Sequence, residues 1–163
     1  MSADVVRVAE HRVGRERGTL VAIGLGSCVA VILYDAPMKL GGLSHVLLPD
    51  PSFSRRGDGE SKFATTAVPA LLRELLGMGA SRTRVKAWLV GGATMFRDLL
   101  PPDQPHMGER NVRASREALK DAGIPVLGEE VGGTWGRTVR FHLADGRIQI
   151  TSPGRPEVIL GRE

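Results

Sequence analysis

Residues 29 to 35 read VAVILYD, an unbroken apolar run closed by one carboxylate. A run this dense and this short is a buried strand, and at Val29 to Tyr34 it is far too short to span a bilayer. A buried strand must be paired at its edges and covered on its faces, so the rest of the chain has to supply a sheet and its cover. On its N-terminal side stands Gly24-Leu25-Gly26-Ser27, which predicts a tight turn with exposed amide N–H groups, and then Cys28, the single cysteine of the chain. On its C-terminal side Ala36-Pro37-Met38-Lys39 turns the chain back into a strand from Leu43 to Leu48 that carries His45 and is closed by Pro49. If the two strands pair about Pro37, Cys28 and His45 fall at the same end of the hairpin, and the register decides whether they share a face.

The remaining elements follow from periodicity. Residues Asp4 to Ala9 alternate weakly as an edge strand, Glu10 to Gly18 is a charged loop or turn, and the β-branched run Thr19 to Ile23 is a strand. Asp50 to Ser61, polar and rich in Gly and Ser, predicts a mobile surface loop. Lys62 to Met78 places Ala67, Leu71, Leu72, Leu75 and Leu76 on one helical face, with Pro69 interrupting the pattern and Gly77 and Gly79 as stops. Strands are predicted at Arg84 to Val90, Ile124 to Val131, Thr138 to Leu143 and Arg147 to Thr151, with a hairpin at Asp145-Gly146. A second helix, Glu109 to Ala122, turns Val112, Leu119 and Ala122 inward, Leu99 to Met107 is irregular, and the tail from Ser152 has no period. Asn111 and Arg110 read as cap or ion-pair residues, Gly91-Gly92 and Gly132-Gly133 as strand ends, and Trp88 and Trp135 as core. The order predicts one α/β (mixed α+β) domain of 163 residues in which helices cover a sheet or a pair of sheets.

Charge and composition narrow the function. The net charge is +4, but the basic residues are scattered as Arg12, Arg15 and Arg17, then Arg55 and Arg56, then Arg82, Arg84 and Lys86, and aromatic residues are only 4%. That leaves neither a basic stripe nor stacking platforms, so a solvated surface is the reading and no nucleic-acid partner is expected. The charged N-terminus does not fit a signal peptide, so a cytoplasmic chain without membrane insertion is the expectation. His11, His45, His106 and His142 are too dispersed for a zinc cluster, and Gly24-Leu25-Gly26 is only a fragment of a dinucleotide fingerprint because Val29 stands where the third glycine belongs. No metal or cofactor is expected. Nucleophilic thiol chemistry is the enzyme class left, set against the blander reading of a small buried cysteine and a satisfied core histidine. The glycine turn favours the thiol, because backbone donors beside a sulfur stabilise an oxyanion and a core cysteine needs none.

The run GLGSCVAVILYD followed by SHVLLPD resembles the signature of the CheD family, chemoreceptor glutamine deamidases of bacterial and archaeal chemotaxis. The resemblance continues through Lys62-Phe63-Ala64, Lys86 with Gly91-Gly92-Ala93-Thr94-Met95, Gly108-Glu109-Arg110-Asn111, and Val131-Gly132-Gly133 with Gly136-Arg137, covering residues 18 to 151. It implies a sandwich fold similar to that of toxin deamidases and hydrolysis of glutamine side-chain amides on the cytoplasmic helices of chemoreceptors. It also implies Cys28 as nucleophile, His45 as general base, and the phosphatase CheC as a binding partner. Gly26 and Ser27 would support the turn or the oxyanion. One departure stands out: the family's threonine six residues before the cysteine is here Ala22. The hydroxyl that could orient His45 is missing, which leaves two expectations: a backbone carbonyl holds the imidazole instead, or activity is reduced. A CheD-fold module that regulates CheC with little or no deamidase activity is the alternative.

Overall fold

The computed structural model describes residues 3–54 and 59–161. Among the described residues, ten strands and two α-helices form three layers. The first sheet has the order β1-β3-β8-β9-β10, from β1 (Ala3–Val5), β3 (Thr19–Leu25), β8 (Arg137–His142), β9 (Ile148–Thr151) and β10 (Val158–Leu160). The second has the order β2-β5-β4-β6-β7, from β2 (His11–Arg15), β5 (Leu40–Val46), β4 (Val29–Asp35), β6 (Lys86–Gly91) and β7 (Val126–Val131). Helices α1 (Ala64–Gly77) and α2 (Met107–Asp121) cover the outer face of the second sheet.

β4 is the middle strand of the second sheet and every one of its residues is buried. Its odd-numbered residues Val29, Val31 and Leu33 pack with Ala67, Leu71 and Leu75 of α1 and Val112 and Leu119 of α2. The even-numbered Ala30, Ile32 and Tyr34 face the first sheet, among Leu20, Ala22, Leu25, Val139, Phe141 and Ile150. Both faces are covered, which is why the strand is apolar throughout instead of alternating. Tyr34 belongs to the inter-sheet core, with its ring edge-on to Phe141 at 5.4 Å and its hydroxyl donating to Leu143 O at 2.6 Å. Asp35 ends the strand, its buried carboxylate held by Arg84 through two hydrogen bonds of 2.9 and 3.0 Å.

Several expectations are corrected. Glu10 to Gly18 is not a loop: His11–Arg15 pairs antiparallel with Leu40–Ser44 as an edge strand. The tail from Ser152 adds β10 to the edge of the first sheet, paired with β9. β5 begins at Leu40, not Leu43, because Gly41 and Gly42 lie under neighbours too close to admit a side chain. α1 runs through Pro69 from Ala64. A short 3-10 turn at Pro51–Phe53 lies within the loop expected over Asp50 to Ser61 and another at Glu60–Lys62 overlaps its end; residues 55–58 of that loop are outside the described residues. Trp88 is core, but Trp135 is half-buried between the guanidinium groups of Arg137 and Arg155, 4.9 and 3.3 Å from its ring centroid.

Candidate active site

Two segments pass from the first sheet to the second along one end of the sandwich. Residues 6–10 connect β1 to β2, and residues 26–28 connect β3 to β4. Cys28 is the last residue of the second crossing. His45 lies on β5 opposite Ala30, and it bonds through its own N–H and C=O to Glu10 O and Ala9 N, away from β4. Cys28 is two residues before Ala30 and so points to the same face. The thiol and imidazole are diagonal neighbours across the β4–β5 pair, an arrangement that puts Cα atoms about 7–8 Å apart. Both face the inter-sheet side, where Cys28 packs against the inner core. No hydrogen bond joins them among the described residues.

Each group has a defined proton state. The Val6 carbonyl can only accept, so the 2.9 Å contact from His45 Nδ1 fixes the proton there and leaves Nε2 as the basic nitrogen. Val6 is itself held by its N–H to Val21 O at 2.7 Å. Burial pushes the His45 pKa below its ordinary value, with the Val6 hydrogen bond and the charge of Glu10 opposing it. Cys28 is partly exposed, and burial raises its thiol pKa. Both shifts favour the uncharged forms, a thiol and a neutral imidazole.

The turn before the thiol is anchored by all three of its carbonyls. Gly26 O accepts from Ala93 N at 2.8 Å and Cys28 O from Gly92 N at 2.8 Å. Ser27 O accepts from Asn111 Nδ2 at 2.8 Å, and the same amide nitrogen donates to Leu47 O at 2.9 Å. The N–H groups of Gly26, Ser27 and Cys28 have no hydrogen-bond acceptor among the described residues. Gly91 cannot be anything else: its φ is +114°, and a Cβ there would stand 2.3 Å from Cys28 O. Gly108 lets the first turn of α2 come down on the same loop, because its Cβ would stand 2.2 Å from Ala93 O.

Two residues here were not singled out for the site by the sequence. Asn111 does not cap α2; it is fully buried on the helix's inner face, in the stripe Gly108, Asn111, Val112, Ser115 and Leu119. A polar side chain in such a stripe was the available signal. Arg137 is also buried, paired with Glu130 and donating to Gly132 O at 2.8 Å and Gly91 O at 3.4 Å, so it braces the strand ends that hold the turn. Ala22 is buried among the inter-sheet residues.

These features define a two-sheet, helix-covered α+β domain whose one thiol lies beside a carbonyl-anchored imidazole. The chain belongs to the CheD family: the family model described as CheD chemotactic sensory transduction matches residues 47–152. That span holds Gly91, Gly108, Asn111 and Arg137 and begins just after His45. Relatives match almost end to end. A protein of Caldanaerobacter subterraneus is 40% identical over 94% of this chain and 96% of its own, and one of Geobacter metallireducens is 42% identical over 93% and 94%. One of Pyrococcus abyssi is 40% identical over 89% and 88%. All three are named probable chemoreceptor glutamine deamidase CheD, the Geobacter protein with the numeral 2. Among solved structures, the Bacillus licheniformis protein YfiH superposes with a TM-score of 0.39 at 17% identity over 69% of this chain and 46% of that one, a likeness too slight to bear on function.

Proposed function

We propose that this protein is a chemoreceptor glutamine deamidase, hydrolysing glutamine side-chain amides on the cytoplasmic helices of chemoreceptors to glutamate and ammonia. The observation that carries the proposal is that His45 stands opposite Ala30, with Cys28 two residues before Ala30 on the same face, and that the imidazole proton is fixed on Nδ1. The relatives' names give the same activity. A partly exposed thiol and an exposed Phe96, next to the Met95 that packs beside Gly26, suit a substrate that is itself a protein surface. No helix among the described residues is long and apolar enough to cross a membrane, and the proposed place of action is the cytoplasm.

The reaction proceeds in two halves. His45 Nε2 takes the Cys28 proton as the sulfur attacks the carboxamide carbon, and the C=O π pair moves onto oxygen, where free N–H groups of the turn stabilise it. The tetrahedral intermediate collapses, the C–N bond breaks, and the imidazolium proton goes to the departing ammonia, leaving a thioester. Water then gives a proton to Nε2 and its oxygen attacks the thioester carbon. The C–S bond breaks, the proton returns to sulfur, and the carboxylic acid product ionises. Both proton abstractions, from the thiol and from water, need a neutral imidazole to accept the proton, the form that burial favours.

Ala22 supports a second reading, a CheD-fold module that acts through CheC with weak catalysis. Incubating the wild-type protein with a receptor cytoplasmic fragment separates the two. The deamidase reading predicts the mass gain of amide-to-acid conversion at particular glutamines, lost in His45→Ala by about 10²–10⁴-fold in rate. An unchanged receptor, beside CheC binding that survives in Cys28→Ala, supports the second reading and overturns the first.

A further inference from the structure

Asn111 stands where the β4–β5 ladder opens. Val29 and Val46 are the last paired residues before the strands diverge, since Leu47 N and Leu48 N turn away to Lys62 O. At this fork Ser27 O and Leu47 O are left without ladder partners, and one amide group from α2 enters from the helical face and donates to both. Both acceptors are carbonyls, so the amide orientation is fixed: the nitrogen must face them. Its other atom, Oδ1, is buried with no partner among the described residues. A side chain that leaves one of its own polar atoms unsatisfied in order to hold two backbone carbonyls is placed for what it holds.

What it holds is one peptide unit. Ser27 C=O and Cys28 N–H belong to the same plane and point in opposite directions. Fixing the carbonyl toward the β5 side therefore aims the Cys28 N–H toward the other side, where it has no acceptor. The two flanking peptides of the turn are anchored through their own carbonyls by backbone N–H groups of Ala93 and Gly92. The Ser27–Cys28 peptide alone depends on a side chain.

We propose that Asn111 is a positioning residue that locks the Ser27–Cys28 peptide so that the Cys28 N–H serves as an oxyanion donor. The proposal rests on the thiol-deamidase reading above and adds to it the residue that orients the oxyanion donor. Asn111 does not contact the reacting atoms; it acts through the peptide from the opposite face of the sheet.

The test compares a reaction that forms an oxyanion with one that does not. In Asn111→Ala, kcat for deamidation of a receptor fragment falls by about 10²–10³-fold while KM stays at the wild-type value. Alkylation of Cys28 by iodoacetamide keeps its wild-type rate and pH dependence, because the sulfur displaces iodide from a methylene carbon and no oxyanion forms. Asn111→Asp, of the same shape but without donors, follows Asn111→Ala. A general loosening of the site instead slows alkylation or moves its pH profile together with kcat, and that result overturns the proposal, as does an unchanged kcat. Whether or not the variants fold, the wild-type protein decides: in the adduct formed with a peptide whose glutamine is replaced by glutamate semialdehyde, the oxygen lies within hydrogen-bond distance of Cys28 N and Ser27 O remains on Asn111. An adduct oxygen pointing elsewhere overturns the proposal. A wild type that forms this adduct but converts no receptor glutamine refutes the deamidase reading and leaves the positioning role standing.

Discussion

Gly91→Ala perturbs the backbone around Cys28 without touching a polar side chain, and its cost can be worked from the structure. The added methyl carbon would lie 2.3 Å from Cys28 O and 3.4 Å from Val29 Cα, and both neighbours are backbone, of the turn and of the buried strand that follows it. Alanine at φ +114° adds strain of about 1–3 kcal/mol. Relieving the clash separates β6 from Cys28 and weakens the Gly92 N to Cys28 O hydrogen bond, about another 0.5–1.5 kcal/mol. The expected loss is about 1.5–4.5 kcal/mol in all, a large share of the roughly 5–15 kcal/mol that holds a domain together. Gly132→Ala is the control. Its φ is +82°, yet no atom lies within 4 Å of the added carbon, so only the backbone penalty of about 1–2 kcal/mol applies. Urea unfolding of the two variants measures the difference, and iodoacetamide labelling of Cys28 reports whether the thiol has moved. Equal losses in the two variants, or a Gly91→Ala protein within about 0.5 kcal/mol of wild type, would refute the claim that Gly91 is fixed by the Cys28 carbonyl.

Two further outcomes follow from His45. With the Val6 carbonyl already fixing Nδ1, restoring a hydroxyl by Ala22→Thr should not raise kcat; the larger side chain in a filled inter-sheet core should cost about 1–3 kcal/mol, read by denaturant unfolding, and a marked gain in kcat would show that Val6 is an inadequate anchor. The pH dependence has a defined sign. The folded His45 pKa lies below the unfolded value of about 6.5, so the unfolded state binds more protons between the two and this histidine's contribution to stability, complete above the unfolded pKa, is lost as pH falls toward the folded one. The deamidation rate rises through the same lowered pKa, and a kinetic midpoint above 6.5 contradicts a desolvated imidazole base.

What the sequence revealed depended on how many neighbours each element has. β4 was legible to the residue because a strand covered on both faces has no freedom to be anything but apolar. β2 and β10 were not, since each is an edge strand joined to its sheet mainly through the backbone, and HRVGR carries charges and a glycine where a period would show. The thiol, the imidazole and the glycine turn were visible as residue types. Their shared face follows from register, which local pattern leaves open until the Asp35↔Leu40 turn geometry fixes it. The replacement of a hydroxyl by Val6 O was expected only in kind, because a carbonyl has no signature in a sequence. Asn111 looked like a helix-start residue because its two acceptors lie 84 and 64 positions away.

The central claim is that the Cys28 sulfur makes and breaks the bond to the substrate. The most direct measurement is the rate of glutamine-to-glutamate conversion in a receptor cytoplasmic fragment by wild type and Cys28→Ala at matched concentration, followed by peptide mass. The account predicts that the substitution lowers the rate by about three orders of magnitude or more with folding intact. Conversion by Cys28→Ala at the wild-type rate would contradict it.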